Sequence, residues 1–179
     1  MRRIAVIATA ILAVVLPSAA HAQTPIEIGV DGALSTTFDS PRVTDLSIPV
    51  QRLRVGFYTS PRVSIEPYGA LNYGHIEGSS FTSVNFGVGG LYHFGAARSA
   101  PQPYVRPFAE LLHHSSSSEF GSGGTTAFAL GGGIGVKLPI ANRFAWRLEA
   151  ALSHTFDQDN VVRGATNLSG IFGLSVFLH

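Results

Sequence analysis

The sequence predicts an all-β protein, an eight-stranded antiparallel up-and-down transmembrane β-barrel. Three observations carry that expectation. The chain of 179 residues is 45% apolar but only 13% charged, roughly half the charge of an ordinary soluble domain. Beyond the first two dozen residues, no apolar run approaches the roughly 18 residues of a membrane-spanning helix. Instead, apolar residues alternate with small or polar ones at a period of two. A chain that is apolar overall without a long apolar run has few solutions, and a barrel with its apolar face in lipid is one. The absence of cysteine excludes a disulfide scaffold, a thiolate zinc site and a cysteine nucleophile. The high apolar content argues against disorder.

The first 22 residues read as a secretory signal peptide. Arg2 and Arg3 form the basic start, Ile4 to Val15 the apolar stretch, interrupted only by Thr9. Pro17 and Ser18 break that stretch, and Ala20-His21-Ala22 is a cleavage site of the small-x-small kind. A barrel domain over residues 23–179 is expected to remain. Removing Arg2 and Arg3 from the 12 basic residues leaves them one short of the 11 acidic ones. No basic surplus is left for nucleic acid.

Eight strands follow in order. Ile26, Ile28, Val30 and Leu34 alternate with Glu27, Gly29 and Asp31 in the first. Leu53, Val55 and Phe57 alternate with Arg52, Arg54 and Gly56 in the second. Val63, Ile65, Leu71 and Tyr73 mark the third against Ser64, Glu66 and Ala70, and Val84, Phe86, Val88, Tyr92 and Phe94 the fourth against Asn85, Gly87, Gly89 and His93. Val105, Ala109 and Leu111 set the fifth against Arg106 and Glu110. Phe128, Leu130, Ile134, Val136 and Leu138 set the sixth against Gly131, Gly133, Gly135 and Lys137. Phe144, Trp146, Leu148, Ala150 and Leu152 alternate with Arg147 and Glu149 in the seventh. Phe172, Leu174, Val176 and Leu178 carry the eighth against Gly173 and Ser175. Between them, segments rich in Gly, Pro, Ser, Asp and Asn predict loops near 38–45, 76–82, 115–125 and 157–166, and turns near 59–62, 95–103 and 139–143. The poly-serine stretch Ser115 to Ser118 reads as part of a flexible surface loop. Glu27, Glu66, Arg106 and Arg147 recur at intervals of about 40 residues, the length of one hairpin with its connections.

Alternation alone does not say which face meets lipid. A soluble lipocalin-like barrel would turn its apolar face inward. Two features decide for the inverse. The polar face is built mainly from Gly, Ala and Ser, which suit the tight interior of an eight-stranded barrel. Its charges also balance. Arg52, Arg54, Arg106, Lys137 and Arg147 are five cations, and Glu27, Asp31, Glu66, Glu110 and Glu149 are five anions, all on one face. Five cations in lipid would cost on the order of 10–20 kcal/mol, comparable to the stability of a whole domain. A lumen charge network is therefore expected. The aromatics predict two girdles, one from Phe57, Tyr58, Tyr92, Phe94, Tyr104, Phe144, Trp146 and Phe177, the other from Tyr73, Phe81, Phe120 and Phe156.

On these residues the chain resembles the small eight-stranded outer-membrane barrels of the OmpA, OmpX and opacity-protein type. The resemblance covers residues 25–178 and rests on the signal peptide, the eight alternating strands, segments such as Arg62-Val63-Ser64-Ile65-Glu66-Pro67, and the closing strand Gly170 to Leu178. It implies a bacterial outer-membrane location, short turns toward the periplasm and loops toward the outside. The implied partners are outer-membrane lipid, lipopolysaccharide and the barrel-insertion machinery, with the protein a monomer. The terminal aromatic usual in the family is replaced here by His179. Pro67 and Pro107 are expected near strand starts or at bulges, because a closed barrel has no edge strand to hold them.

The expected role is structural or surface-interacting, with no cofactor. Two alternatives stand beside it. A lipid A deacylase would use His113 with Ser115, or His114 with Ser116, and Glu110 or Glu119 as the orienting acid. A narrow pore would exploit the thin wall at Gly131-Gly132-Gly133 and Gly135, although those glycines more naturally allow bending or close packing around Arg52 and Arg54. No metal site is expected: of His75, His93, His113, His114 and His154, only His113 and His114 are close in sequence, and neighbours on a strand face opposite sides.

Overall fold

The computed structural model describes residues 25–38, 44–76, 79–95, 100–118, 121–156 and 164–178. The predicted signal peptide, residues 1–22, lies outside them, as do Glu119 and Phe120. Eight strands run β1 (Ile26–Thr37), β2 (Thr44–Ser60), β3 (Val63–Ile76), β4 (Ser79–His93), β5 (Gln102–Ser118), β6 (Gly121–Ala141), β7 (Phe144–Thr155) and β8 (Ala165–Leu178). Each pairs antiparallel with its sequence neighbours, and β8 returns to β1, closing the barrel. The strand register, continued once round the wall from Lys137 beside Gln102 through Arg147, Gly173, Asp31 and Arg52 and across β3 to Asn85, returns to β5 at Leu112. That is a stagger of about ten residues, which gives the strands a steep tilt.

The alternation decides the two faces. Leu53, Leu71, Ile134 and Trp146 on the outside are 56%, 68%, 67% and 52% exposed, whereas Arg54, Glu66, Arg106 and Arg147 on the inside are each 1% exposed. Among the described residues the outer wall forms an uncharged apolar band. Phe57, Tyr92, Phe94, Phe144 and Trp146 rim it at the short-turn end, and Phe38, Tyr73, Phe81, Phe128 and Phe156 at the other. Trp146 and Phe156 stand ten residues apart on β7 and just beyond it. At ~3.3 Å per residue and a tilt of ~40°, the band is ~25 Å high, the thickness of an outer-membrane barrel's apolar zone. Leu53 lies midway between the rings. Leu53→Arg is expected to destabilise the barrel by about 2–4 kcal/mol, read as a lower denaturant midpoint in lipid vesicles.

Three expectations need correction. Tyr58, Tyr104 and Phe177 do not join the girdle: they are 3%, 1% and 5% exposed and point into the lumen. Each sits next to an outward residue on its strand, so parity turns it inward. The second concerns two of the predicted loops. β4 begins at Ser79 and β5 runs to Ser118, so 76–82 and 115–125 are largely strand. Ser115 pairs with Thr82 on one side and Gly124 on the other, and Ser118 with Ser79 and Gly121. This hydroxyl-rich extension rises past the aromatic ring, where no lipid enforces apolar alternation, so its strands carry no period-two signal. Gly121 takes φ 147° at its tip, a backbone that favours glycine.

The third concerns the prolines, which lie within strands rather than at their starts. The β2–β3 ladder lapses between Arg54–Tyr68 and Phe57–Ile65, opposite Pro67, and the β4–β5 ladder between Gly89–Phe108 and Tyr92–Val105, opposite Pro107. Each proline keeps its place on the other side, Pro67 beside Val88 and Pro107 beside Gly132. The cost is limited to the missing N–H on one side.

Candidate functional site: the charged lumen

The strand register stacks the inward side chains in layers. The central layer holds Arg54 of β2, Asp31 of β1, Glu66 of β3, Arg106 of β5, and Glu149 and Arg147 of β7. Arg54 is the hub. Its guanidinium meets Glu27 at 2.5 Å, Asp31 at 3.0 Å and Glu66 at 3.3 Å, and donates to Ser175 Oγ at 2.6 Å. Arg147 reaches across the lumen to Glu66 at 2.7 Å and along its own strand to Glu149 at 2.6 Å. Arg106 meets Glu149 at 2.5 Å. Below, Lys137 pairs with Glu27, and the Tyr58 hydroxyl donates to the same carboxylate at 2.9 Å. The Tyr104 hydroxyl donates to Glu149 at 2.7 Å and accepts from Arg147 Nε at 2.7 Å. Arg52 and Glu110 make the loosest pair, 3.8 Å apart on the loop side, with Arg52 22% exposed.

All ten charges named from the sequence point inward, and eight ion pairs link them. The four residues recurring every 40 positions, Glu27, Glu66, Arg106 and Arg147, lie on β1, β3, β5 and β7 and are all in the lumen. Uncharged layers flank the central network, with the Arg52–Glu110 pair at and beyond the one on the loop side. Tyr68, Phe108, Ala151 and Ile171 pack together on the loop side, and Tyr58, Ala145 and Phe177 on the turn side. Arg52 lies over the Tyr68 ring at 4.4 Å and Arg106 over Phe108 at 4.3 Å, so the rings also face the cations favourably. Buried charges that are paired and hydrogen-bonded in this way avoid the penalty of isolated ones.

No protein-family model and no curated sequence matches the chain. Solved structures do. Neisserial surface protein A, 17% identical, superimposes over 84% of this chain and 96% of its own with a TM-score of 0.62. Ail, the attachment invasion locus protein of Yersinia pestis, is 13% identical over 88% and 100% with a TM-score of 0.55. The N-terminal β-barrel domain of OprF from Pseudomonas aeruginosa is 14% identical over 86% and 98%, also at 0.55.

The fold is that of the small outer-membrane β-barrels. In an outer-membrane barrel of eight strands the lumen must accommodate large side chains within a narrow wall, and here glycine makes the room. A Cβ at Gly29 would overlap the Arg54 guanidinium, one at Gly173 the Asp31 carboxylate, one at Gly133 the Glu149 carboxylate, and one at Gly135 the Tyr104 ring. The glycines of β6 therefore accommodate Phe108, Glu149 and Tyr104, not Arg52 and Arg54. Gly132 points outward and leaves open space.

Of the residues considered for lipid hydrolysis, parity puts His113 and Ser115 on the outer face of β5 and His114 and Ser116 on the lumen-side face. His113 lies on the outer wall, hydrogen-bonded through Nδ1 to Thr126 Oγ1 at 2.8 Å. Glu110, three residues away, faces the lumen and Arg52, so it does not orient that imidazole. A different Ser–His contact went unrecognised in the sequence: Ser64 Oγ lies 3.2 Å from His93 Nε2, with the imidazole stacked on Tyr58. Both residues are buried at the turn-side end of the lumen, 1% and 0% exposed. Their parity with Glu66 and Leu91 was the available signal.

Proposed function

We propose that the protein is exported, loses residues 1–22, and is placed by the barrel-insertion machinery in the bacterial outer membrane as a monomer with a structural or surface-interacting role. The observation that carries this reading is the contrast between an uncharged outer wall and a lumen filled with mutually neutralising charges. Such a wall is stable only against hydrocarbon, and an eight-stranded lumen filled by paired side chains favours a packed interior over an open channel. The lumen charges Glu27, Asp31, Arg52, Arg54, Glu66, Arg106, Glu110, Lys137, Arg147 and Glu149 serve structure in this reading: they hold the wall closed around side chains that pair across it. Lipid hydrolysis is not the reading favoured: His113 is hydrogen-bonded to Thr126 on the face opposite Glu110, and His114 with Ser116 share the face of Glu110, turned away from lipid.

Fractionation of cells, heat-modifiable gel migration and planar-bilayer recording together test the proposal. The protein is expected in the outer-membrane fraction, migrating faster unboiled than boiled, and giving no conductance steps. A soluble periplasmic protein overturns the membrane reading; reproducible single-channel steps overturn the filled lumen.

A further inference from the structure

The lumen opens toward the loop side. On β5 the inward side chains are buried from Gln102 to Glu110, half-buried at Leu112 and exposed at His114. On β8 they are buried from Phe177 to Ile171 and half-buried at Ser169 and Asn167. At the floor of this mouth lie Arg52 and Glu110, the loosest ion pair among the described residues. They stand 3.8 Å apart, whereas the other lumen pairs close to 3.3 Å or less.

Polar groups without a partner gather at the same place. Three buried side-chain atoms on adjacent strands make no hydrogen bond: the Tyr68 hydroxyl on β3, Asn85 Oδ1 on β4 and Arg106 Nη1 on β5. Tyr68 and Arg106 are 3% and 1% exposed. Gly87 pairs with Tyr68 on one side and Glu110 on the other. The Tyr68 hydroxyl lies 2.5 Å from where a Gly87 Cβ would stand, and Arg106 Nη1 3.3 Å from where a Gly89 Cβ would stand. Both therefore line the bare backbone of β4, and Asn85 is the next inward residue above Gly87. Arg52 lies 4.4 Å and Arg106 5.5 Å from the Tyr68 ring centroid. Buried polar groups are seldom left unpaired, because each then bears its full desolvation cost. Three on one short arc of wall, beneath an open mouth, mark a place for a polar guest.

The chemistry of the guest follows from the set. Arg52, Arg106 Nη1 and the Tyr68 hydroxyl offer donors, and Glu110 and Asn85 Oδ1 offer acceptors. Arg52 and Glu110 neutralise each other, so a guest with net charge would leave one ion uncompensated. A guest with an ammonium and a carboxylate about 3 Å apart does not: its carboxylate meets Arg52 and its ammonium Glu110, giving four alternating charges. Just above, Ala70, Leu112 and Ala127 share a row of the wall with Asn85 and offer an apolar surface for the rest of the molecule.

We propose that the loop-side mouth of the lumen is a binding site for a small zwitterion, an α-amino acid with an apolar side chain, held by Arg52, Glu110, Tyr68 and Asn85. This gives Arg52 and Glu110 a role beyond the structural one. The site needs the barrel folded, but neither its cellular location nor its orientation.

The test is saturation-transfer NMR of the purified protein in lipid nanodiscs, with free leucine titrated in. The wild type is expected to bind leucine saturably below about 10 mM. It is expected to bind leucine methyl ester, which lacks the carboxylate, and 4-methylpentanoate, which lacks the ammonium, at least tenfold more weakly. Tyr68→Phe removes only the unpartnered hydroxyl. It is expected to fold normally and to weaken leucine binding at least tenfold, the scale of one hydrogen bond to a charged group. Arg52→Gln with Glu110→Gln keeps the lumen neutral and is expected to abolish binding. Heat-modifiable migration is read on every sample. With normal migration, no saturable binding by the wild type, equal binding of either analogue, or unchanged binding in either variant overturns the site alone. Failure of the wild type to migrate as a folded barrel overturns barrel and site together. If the double variant alone fails to fold, Tyr68→Phe decides.

Discussion

Arg54→Met is expected to lower the stability of the inserted barrel by about 3–5 kcal/mol, the range for removing one partner of a buried ion pair. Arg54 holds three carboxylates and Ser175, but the loss does not fall on them equally. Glu27 keeps Lys137, and Glu66 keeps Arg147. Asp31 has Arg54 as its ion-pair partner and becomes an uncompensated charge, 3% exposed. A second substitution, Asp31→Asn, in the Arg54→Met background is therefore expected to recover a substantial part of the loss, although Asp31→Asn alone destabilises. Urea unfolding of the four proteins in lipid vesicles gives the coupling directly. Additive losses would show that Asp31 is neutralised by something other than Arg54.

Gly135→Val is expected to prevent closure of the barrel, whereas Gly132→Val, three residues away, leaves it folded. At Gly135 the new Cβ falls within 2.6 Å of the Leu148 carbonyl oxygen and onto the Tyr104 ring. The ring is held by Glu149 and Arg147, and the carbonyl belongs to the neighbouring strand, so neither yields. Overpacking of this kind costs on the order of 3 kcal/mol or more. At Gly132 the new side chain enters lipid. The measurement is the fraction of heat-modifiable protein after refolding. Equal yields from the two variants would contradict the assignment of faces on β6.

Much of this was legible in the sequence because a barrel wall in lipid is an unforgiving filter. Leu148 and Arg147 differ by one position and therefore by phase, so the strands and their lipid face follow from parity. Where that filter relaxes, legibility fails. Ser115 to Ser118 and Gly121 to Gly124 stand above the aromatic ring, and nothing in their side chains distinguishes a paired strand from a loop. Pro67 and Pro107 were misplaced for a related reason: ladder rules penalise proline strongly, yet the wall tolerates one missing bond between long strands. Within the lumen, composition gave the charges but not their partners. That Arg147 reaches Glu66 rather than Glu27 depends on the stagger of the whole wall, which no local pattern encodes. Parity places Tyr58 and Tyr104 inside the lumen, whereas their nearness to the short turns makes them resemble girdle residues.

The pairs that cross the lumen have a kinetic consequence. Arg147 on β7 meets Glu66 on β3, and Lys137 on β6 meets Glu27 on β1; none of these partners adjoin in the wall. A half-assembled hairpin array cannot satisfy them, so an arc of strands entering the bilayer alone would drag bare ions into hydrocarbon. Assembly must therefore be concerted, with the nascent interior kept wet until β1 and β8 zip together, and dehydration of the core as the last event rather than the first.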